Sequence, residues 1–343
     1  MIILGIDTSC DETALALLKA EKSKFEILSN VISSQIELHK KYGGVFPALA
    51  KREHQKNLPT VFKKTIKNFD PSRIDAISFT YGPGLEPCLW QGINFALDLA
   101  NNLKKPIIPV NHIEAHILAN FIENDINSVQ LPALCLVVSG GHTTLFLMEK
   151  IGCYKLVGET KDDAAGECFD KVARILDLGY PGGPIISKLA AEFKGESLSF
   201  ELPRPMIHQK NYDFSFSGLK TAVLYNYKKQ PLKIRKSKNY IREMAFQTQQ
   251  AIIDVLLHKT LSAAENFKAK TIMLGGGVAA NKELRERFKK DIEDRKMTAY
   301  IPSKEFCTDN GVMIALTAYL SGKKTTNFKK IKADGNLNIS AKI

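Results

Sequence analysis

Apolar and polar positions alternate along the chain in blocks that predict short buried strands, and the first block recurs. Residues 2–6 and 14–18 are apolar runs separated by a polar turn. Residues 134–138 and 144–148 are apolar runs separated by a turn with two glycines. Runs of this length between polar or small residues are typical of buried strands. The recurrence at a spacing of about 130 residues predicts two homologous lobes, each opening with a strand-turn-strand element.

A third strand, residues 271–274, runs into the glycine turn 275–281 and then into a helical pattern over 282–295. A strand, a glycine turn and a helix in this order can hold an anion or a nucleotide with backbone amides. Apolar residues at helical spacing predict further helices over residues 89–103, 112–122, 167–178, 241–267 and 312–320. Strands that alternate with helices predict an α/β class.

The repeat also predicts how the chain divides into domains. We expect an N-terminal lobe over residues 1–128, completed by a C-terminal helix at about 300–322, and a C-terminal lobe over 129–299. The lysine-rich residues 323–343 predict a basic, loosely ordered tail. Residues 228–242 carry seven basic and no acidic side chains, which predicts a solvated loop able to touch nucleic acid.

Composition narrows the class of protein. Apolar residues make up 44% of the 343 residues and charged residues 24%, as in ordinary globular proteins. The net charge of +12 suits a polyanionic partner, although a lysine bias of the whole genome would explain that number equally well.

The six cysteines and the N-terminal sequence predict a cytoplasmic protein. No two cysteines form a C-x-x-C pair, so neither a zinc ribbon nor a disulfide framework is indicated. The N-terminal apolar run is too short for a signal peptide, and no run reaches the roughly 18 apolar residues of a membrane-spanning helix.

Two histidines four residues apart are candidates for a metal site. On a helix, His112 and His116 would lie on one face and could reach one divalent cation, with Asp309 as a possible third ligand. Two histidines and a carboxylate favour Fe(II) or another first-row metal, with zinc as an alternative. Glu114 lies two residues after the first histidine, which disfavours the zinc-protease arrangement. The alternatives are ordinary core or surface histidines and, for Asp309, a helix-start residue.

The glycine turn at residues 139–143 (SGGHT) occupies the place in the second lobe that the polar turn 7–13 occupies in the first. In the sugar kinase, actin and Hsp70 architecture, paired turns of this kind bind the phosphates of a nucleotide. We therefore expect an adenine nucleotide between the lobes. Asp170 could accept a hydrogen bond from a ribose, and Gly183 could leave room for a flat ring. Either could instead be a surface helix residue or part of a turn, and Asn281 could simply cap a helix.

With these residues assembled, the chain resembles the tRNA N6-adenosine threonylcarbamoyltransferase family (TsaD), formerly misnamed O-sialoglycoprotein endopeptidase. The resemblance runs from Met1 to about Leu320, and its many long motifs in the right order make it highly specific. The matching segments are 5–13 (GIDTSCDET), 44–50 (GVFPALA) with Arg52 and His54, 82–85 (GPGL), 111–116, 137–143 (VVSGGHT), 166–171, 180–184 (YPGGP), 203–205 (PRP), 213–220 (DFSFSGLK), 275–281 and 307–310.

The resemblance implies a fold, an activity and partners. The fold would be α/β, a two-lobed actin/hexokinase/Hsp70-like (ASKHA) fold with duplicated lobes. The activity would be that of an acyltransferase that moves a threonylcarbamoyl group from threonylcarbamoyl-AMP to N6 of the adenosine 3′ of the anticodon, in tRNAs reading ANN codons, with release of AMP. Expected partners are tRNA, a non-catalytic paralogue (TsaB-like) and a P-loop ATPase (TsaE-like), with no membrane.

The family's site residues carry over onto matching positions. The metal ligands would be His112, His116 and Asp309, binding Fe2+ by preference or Zn2+. The catalytic pair would be Asp11 and Glu12, one of them acting as general base. The substrate-binding residues would be Val137, Val138, Ser139, Gly140, Gly141, Asp170, Gly183, Ser187 and Asn281.

One segment and one single residue depart from the family pattern. Residues 86–91 (EPCLWQ) replace a blander stretch of small residues, and Gly311 replaces a more usual alanine.

Two other functions stay open. An ATP-driven kinase or chaperone-like ATPase of the same fold would hydrolyse ATP and would not need His112, His116 and Asp309. A non-catalytic scaffold should lack that triad altogether.

Overall fold

The computed structural model describes residues 1–195, 200–322 and 331–339, and within them the chain forms two compact units. Unit 1 contains residues 1–129, 150–154 and the described residues from 302 onward. Unit 2 contains residues 130–149 and 155–301, apart from the four that are not described. No helix in the described ranges is long and apolar enough to cross a membrane.

Unit 1 is built on a five-stranded mixed sheet of order β3-β2-β1-β4-β5. Strand β1 is antiparallel to β2 and parallel to β4, while β4 is parallel to β5. Almost every residue of the central strands β1 and β4, and of the edge strand β5, is buried, as expected for strands with both faces covered. The strands are β1 Ile2–Asp7, β2 Glu12–Glu21, β3 Lys24–Ser34, β4 Ala76–Gly82 and β5 Ile107–Asn111.

Helices cover this sheet and complete the core of unit 1. Leu4, Ile6, Phe79, Leu89 and Ile93 belong to one buried cluster, which joins the strands to the apolar face of α3. The helices are α1 Ile36–His39, α2 Pro47–Thr65, α3 Glu86–Leu103, α4 His112–Leu118, α11 Lys304–Cys307 and α12 Gly311–Ser321.

Unit 2 repeats the sheet of unit 1. Its order is β10-β9-β6-β7-β8, so in both sheets the first strand pairs with the second and the fourth, and the third and fifth lie at the edges. The first pair is again antiparallel, and the other two pairings are again parallel. The strands are β6 Ala133–Val138, β7 Thr143–Lys150, β8 Cys153–Glu159, β9 Thr271–Gly275 and β10 Thr298–Tyr300. The predicted α/β class and the duplication are therefore confirmed.

The helices of unit 2 include the long, largely buried α9. They are α5 Ala165–Ile175, α6 Gly182–Ala191, α7 Ser217–Lys229, α8 Leu232–Arg235, α9 Lys238–Asn266 and α10 Lys282–Glu293. The prediction of a solvated loop over residues 228–242 was wrong for most of the segment. It contains the end of α7, all of α8 and the start of α9, because Ser237 caps α9 through the amide of Tyr240 and starts a helix there.

The predicted helix over residues 112–122 begins as expected, but its α-helical part ends at Leu118 and a 3-10 turn follows.

Part of the predicted basic tail is also described. The amide of Asp334 donates to the carbonyl of Tyr81, and Ile331 and Ala333 pack against the core of unit 1. The rest of the tail, residues 323–330 and 340–343, lies outside the described residues.

Two glycines let α12 approach the sheet of unit 1 closely. A Cβ atom at Gly5 would lie 2.7 Å from the amide nitrogen of Ala315 and would also collide with the carbonyl of Gly311. A Cβ at Gly311 would lie 2.7 Å from the carbonyl carbon of Leu15. The departure from the more usual alanine at position 311 therefore matches the packing, because no side chain fits between the helix and the strands here.

We predict that Gly5→Ala lowers the free energy of unfolding by about 1–3 kcal/mol, since overpacking against backbone atoms forces the helix away from the sheet. The shift in the midpoint of urea-induced unfolding measures this loss. Gly218→Ala is the matched control, because its Cβ would meet only Pro205 at an ordinary 3.7 Å. An equal midpoint for Gly5→Ala and the wild-type chain would show that the close approach is not needed.

Candidate functional site

Strand β5 and helix α4 place the two histidines. The strand ends at Asn111, whose side-chain oxygen accepts hydrogen bonds from the amides of Ile113 (2.9 Å) and Glu114 (3.1 Å) and so caps α4. His112 is the first residue of that helix, and His116 lies one turn further on. Both are buried, and their ring centroids are 4.6 Å apart in an edge-on arrangement. The i and i+4 geometry predicted from the sequence is therefore present.

Asp309 meets these histidines from the far end of the chain. One carboxylate oxygen, Oδ1, lies 3.5 Å from Nε2 of His112 and 3.2 Å from Nε2 of His116. The other, Oδ2, accepts a hydrogen bond of 3.3 Å from the hydroxyl of Ser9. Helix α12 fixes the position, because the next residue, Asn310, caps that helix through the amide of Met313. Asp309 is thus outside the helix, and its carboxylate points to the histidines.

The three side chains can hold a metal ion. One ligand atom from each lies within 4.8 Å of those of the other two. Nε2 of His116 is buried, and among the described residues its contact of 3.2 Å with Asp309 does not complete a hydrogen bond, which is costly for a buried polar atom. A divalent cation would satisfy this nitrogen. Two imidazoles and one carboxylate are a donor set suited to a first-row transition metal.

Asp7 supports this group and was not singled out from the sequence. It ends β1 and is fully buried, with Oδ2 at 3.6 Å from Nδ1 of His112. Ser9 donates to it through both its amide (3.1 Å) and its hydroxyl (3.3 Å). A carboxylate beside the distal nitrogen of a histidine ligand orients the ring and raises its basicity. The parallel pairing of β1, β4 and β5 was the missing signal, because it brings their carboxyl ends together.

The two aspartates of this cluster differ in acidity. Burial raises the pKa of Asp7, and the neighbouring histidines only partly offset this. Burial also acts to raise the pKa of Asp309, but the charges of His112 and His116 and the Ser9 hydrogen bond outweigh it and leave that pKa well below its ordinary value. Asp309 is therefore ionised across the physiological range, as a metal ligand must be.

The acidic pair, Asp11 and Glu12, lies at the start of β2 in the same unit. Asp11 is buried and its carbonyl accepts from the amide of Gln35 (3.0 Å), while Oε1 of Glu12 accepts from the hydroxyl of Ser34 (3.1 Å). Burial raises the pKa of Glu12 well above its ordinary value, and the charges of Asp11 and Asp309 raise it further. A carboxylate with a raised pKa is a stronger base than a free one.

In unit 2, β6 ends in a tight turn whose two glycines have empty space at their Cβ positions. The amide of Ser139 donates to the carbonyl of His142 (2.8 Å), and the Ser139 hydroxyl accepts from the His142 amide (3.1 Å). Nothing lies within 4 Å of the Cβ positions of Gly140 and Gly141, so the backbone there is accessible to a ligand. Val137 and Val138, which precede the turn, are buried in β6 and serve mainly to place it.

Helices α5 and α6 meet beside this turn. Gly166 in α5 packs so closely on it that a Cβ would lie 2.6 Å from the Ser139 carbonyl. Further along α5, Oδ1 of Asp170 accepts a hydrogen bond of 2.7 Å from the amide of Gly182, the first residue of α6. The alternative that residues 182–183 form a separate turn is therefore wrong. Gly183 has open space at its Cβ position, and Ser187 lies one turn later on the same helix.

The turn after β9 completes the unit 2 group. Gly276 has φ +88°, and a Cβ there would collide with the carbonyl of Val138, so glycine is required where this turn crosses the end of β6. Asn281 caps α10, accepting from the amide of Leu284 (3.0 Å) and donating to Gln249 (2.8 Å). The expected capping role of Asn281 is confirmed. Open glycines beside two helix N-termini can bind an anionic ligand through backbone amides.

We predict that the wild-type chain retains about one Fe2+ or Zn2+ after loading and dialysis, and that His116→Ala retains almost none, since a two-ligand site binds far more weakly. Elemental analysis of the dialysed protein measures the metal content. His258→Ala is the control, because His258 is an exposed histidine in α9 of unit 2. Equal metal content in His116→Ala and the control would contradict the assignment of the three ligands.

Comparisons with known proteins identify the family of the chain. The family model described as tRNA N6-adenosine threonylcarbamoyltransferase (TsaD) matches residues 26–316. Curated proteins of that name from Thermosipho africanus and Thermosipho melanesiensis are 48% and 49% identical to the chain. Each alignment covers 99% of this chain and 100% of the relative.

A solved structure supports the fold independently. Full-length HypF, in its phosphate- and nucleotide-bound form, aligns with 94% of this chain and 55% of its own, at a TM-score of 0.57 and 13% identity. At such low identity the likeness concerns the fold alone. The shared fold agrees with the expected ASKHA class. The family match and the curated relatives span nearly the whole chain. The chain therefore belongs to the tRNA N6-adenosine threonylcarbamoyltransferase family, whose members are acyltransferases that modify tRNA.

Proposed function

We propose that the chain transfers a threonylcarbamoyl group from threonylcarbamoyl-AMP to N6 of the adenosine 3′ of the anticodon, in tRNAs that read ANN codons. The N6–carbon bond forms, the bond from the carbamoyl carbon to the phosphate oxygen breaks, and AMP leaves. The observation that carries this proposal is the buried group of His112, His116 and Asp309 in a chain of this family. A kinase-like ATPase of the same fold would not require such a group.

His112, His116 and Asp309 are the proposed ligands of one divalent metal, with Fe2+ favoured and Zn2+ as the alternative. When bound, such an ion supplies a Lewis acid for the carbamoyl oxygen of the substrate. Asp7 acts indirectly, through its position 3.6 Å from Nδ1 of His112, a distance at which it makes no hydrogen bond to that ring. The Ser9 hydroxyl lies 3.3 Å from a carboxylate oxygen of both Asp7 and Asp309, and its single proton is shared between them.

Asp11 and Glu12 are the proposed proton acceptors. The exocyclic amine of adenine is a poor nucleophile, and it must lose a proton as the new bond forms. Glu12 suits this role, because its raised pKa makes it a stronger base while it is held by the Ser34 hydroxyl. Orientation must supply much of the acceleration, and well-positioned reactants gain several kcal/mol in this way, about 7–11 at most.

The adenylate part of the substrate is assigned to unit 2. The proposed contacts are Val137, Val138, Ser139, Gly140, Gly141, Asp170, Gly183, Ser187 and Asn281. Open glycines at 140, 141 and 183 support the assignment, since a phosphate or a flat ring needs bare backbone. Asp170 accepts the amide of Gly182 through Oδ1, which holds its carboxylate beside the start of α6, and a ribose hydroxyl is its proposed ligand contact.

The proposed partners follow from the reaction and the family. The net charge of +12 suits tRNA, whose phosphates account for most of such binding. We further propose a non-catalytic paralogue (TsaB-like) and a small P-loop ATPase (TsaE-like) as protein partners, while a separate enzyme supplies the adenylate. The proposed location is the cytoplasm, where tRNA and reduced thiols are found.

We predict that His112→Ala abolishes formation of the modified adenosine while leaving the fold intact, because the side chain is a metal ligand at the start of a capped helix. Purified protein, metal, threonylcarbamoyl-AMP and tRNA are incubated with and without the partner proteins, and nucleosides are analysed by mass spectrometry. His258→Ala is the control. Wild-type activity in His112→Ala would rule out the metal-dependent mechanism, and no activity in the wild-type chain under any condition would rule out the transferase proposal.

We also predict a pH dependence from Glu12. A general base acts in its deprotonated form, so the rate of transfer should fall as the pH drops through the raised pKa of Glu12. Glu12→Gln should lower the rate by about 100-fold or more and remove this acid limb. Single-turnover rates across a range of pH measure both effects, with Ser34→Ala as a milder variant that removes only the hydrogen bond. An unchanged acid limb in Glu12→Gln would assign it to another group.

A further inference from the structure

Two exposed aromatic rings stack on each other on the surface of unit 1. Tyr42 ends the 3-10 turn after α1, and Phe46 is the N-terminal cap residue of α2. Their ring centroids are 5.4 Å apart with an interplanar angle of 21°. The residues are 52% and 50% exposed, although a stacked aromatic pair is ordinarily a feature of a core. We call this pair the aromatic step.

Basic residues flank the aromatic step in the sequence, and one of them contacts it. The ammonium of Lys41 lies 5.1 Å from the centre of the Tyr42 ring. Lys40, Lys51 and Arg52 are exposed on the neighbouring turn and on the first two turns of α2. Lys40 is paired with Glu37, whereas the ammonium of Lys41 lies over the ring rather than on a carboxylate. Exposed aromatic rings among lysines and arginines are the components of surfaces that bind unpaired nucleic acid.

Buried polar contacts hold the aromatic step rigidly. Nδ1 of His39 accepts the amide of Phe46 (3.3 Å), and its Nε2 lies 3.2 Å from Oε1 of Gln35. Burial lowers the pKa of His39, which favours the neutral ring that this pair of contacts needs. Gln35 also donates to the carbonyl of Ala50 in α2 (3.4 Å). These contacts fix the backbone of Phe46 at the start of α2, so that part of the aromatic step loses little entropy when a ligand binds.

The same frame ties the aromatic step to the acidic pair. The amide of Gln35 donates to the carbonyl of Asp11 (3.0 Å). His54, in α2, contacts the carbonyl of Cys10 (3.0 Å) and the hydroxyl of Thr13 (2.8 Å), which flank Asp11 and Glu12 on either side. A ligand on the aromatic step would thus be held by elements that are hydrogen-bonded to the segment carrying the proposed proton acceptors.

We propose that the aromatic step binds an unpaired base of the RNA substrate, next in sequence to the adenosine that is modified, by stacking on Tyr42 and Phe46 while Lys41, Lys51 and Arg52 contact the backbone phosphates. This inference rests on the proposed transfer to tRNA and names the surface that receives the loop. The local charge favours RNA over a protein occupant, because lysine is depleted in the centres of protein interfaces. A rigid aromatic platform beside cations is also the usual means of holding unstacked bases.

The test measures binding of fluorescein-labelled RNA by anisotropy. One probe is a hairpin whose unpaired loop contains the target adenosine, and the other is a fully paired duplex of equal length. We expect Tyr42→Ala to weaken hairpin binding about tenfold, since one base–aromatic stack is lost, with little effect on the duplex. Tyr42→Phe should bind like the wild-type chain. Lys41→Ala should reduce the slope of log affinity against log salt by about 0.7, as expected for one contact to single-stranded phosphate.

The matched control is Tyr225→Ala, which removes a still more exposed tyrosine, 68% exposed, from α7 of unit 2. Thermal unfolding of each variant checks the fold, and Phe46→Ala tests the second ring independently. Unchanged hairpin binding in both Tyr42→Ala and Phe46→Ala would overturn the inference, and loss of association with a protein partner in those variants would assign the aromatic step to that partner.

Nucleoside mass spectrometry on the same preparations separates this inference from the proposed function. A wild-type chain that modifies tRNA but binds hairpin and duplex equally well would overturn the aromatic step and leave the transferase standing. A wild-type chain that neither modifies tRNA nor binds the hairpin would overturn both. Transfer in Tyr42→Ala that recovers at high tRNA concentration, with an unchanged maximal rate, is the expected signature of lost binding rather than lost chemistry.

Discussion

The close packing of α12 on the sheet of unit 1 is the constraint on which the candidate metal centre depends. Asp309 directly precedes the cap residue of that helix, and its two histidine partners lie almost two hundred residues earlier, in α4. Two glycines, one on β1 and one on α12, allow helix and strands to touch backbone to backbone. A displacement of the helix by even one side-chain thickness would carry the carboxylate out of reach of both imidazoles. The backbone contacts between α12 and the strands therefore determine both the packing of unit 1 and the position of the Asp309 carboxylate.

The electrostatics of this cluster show how buried charges are accommodated. Asp7 and Asp309 both lose hydration, which alone would favour their neutral forms. Asp309 stays ionised because two histidines lie beside it, whereas Asp7, which also accepts from Ser9, has only one histidine close to it. The uneven distribution of partners makes one aspartate a ligand and the other a support. Removing a single partner would leave a buried charge uncompensated, so the cluster works as a unit.

Much of this could be predicted from the sequence, and the failures have physical causes. The paired strands at the two turns and the i, i+4 histidines follow from local periodicity, and the structure contains them. Asp309 came from family resemblance, since no local pattern links it to α4. Asp7 was missed because its role depends on the order of parallel strands, which is a long-range property. The loop predicted at residues 228–242 was wrong because a high charge does not by itself indicate irregular structure: lysine and arginine are good helix formers.

The two sheets have the same strand order and the same directions at their first, second, fourth and fifth strands, so the turn after β1 and the turn after β6 stand at equivalent positions in two copies of one scaffold. One turn carries the acids Asp11 and Glu12, and the other carries Gly140 and Gly141. Their chemical difference cannot originate in the scaffold, which is shared. It resides in a handful of side chains, which duplication left free to diverge: one copy could gain charged groups while the other lost side chains altogether. In such a fold, new chemistry is gained by editing a turn, at no cost to the sheet that supports it.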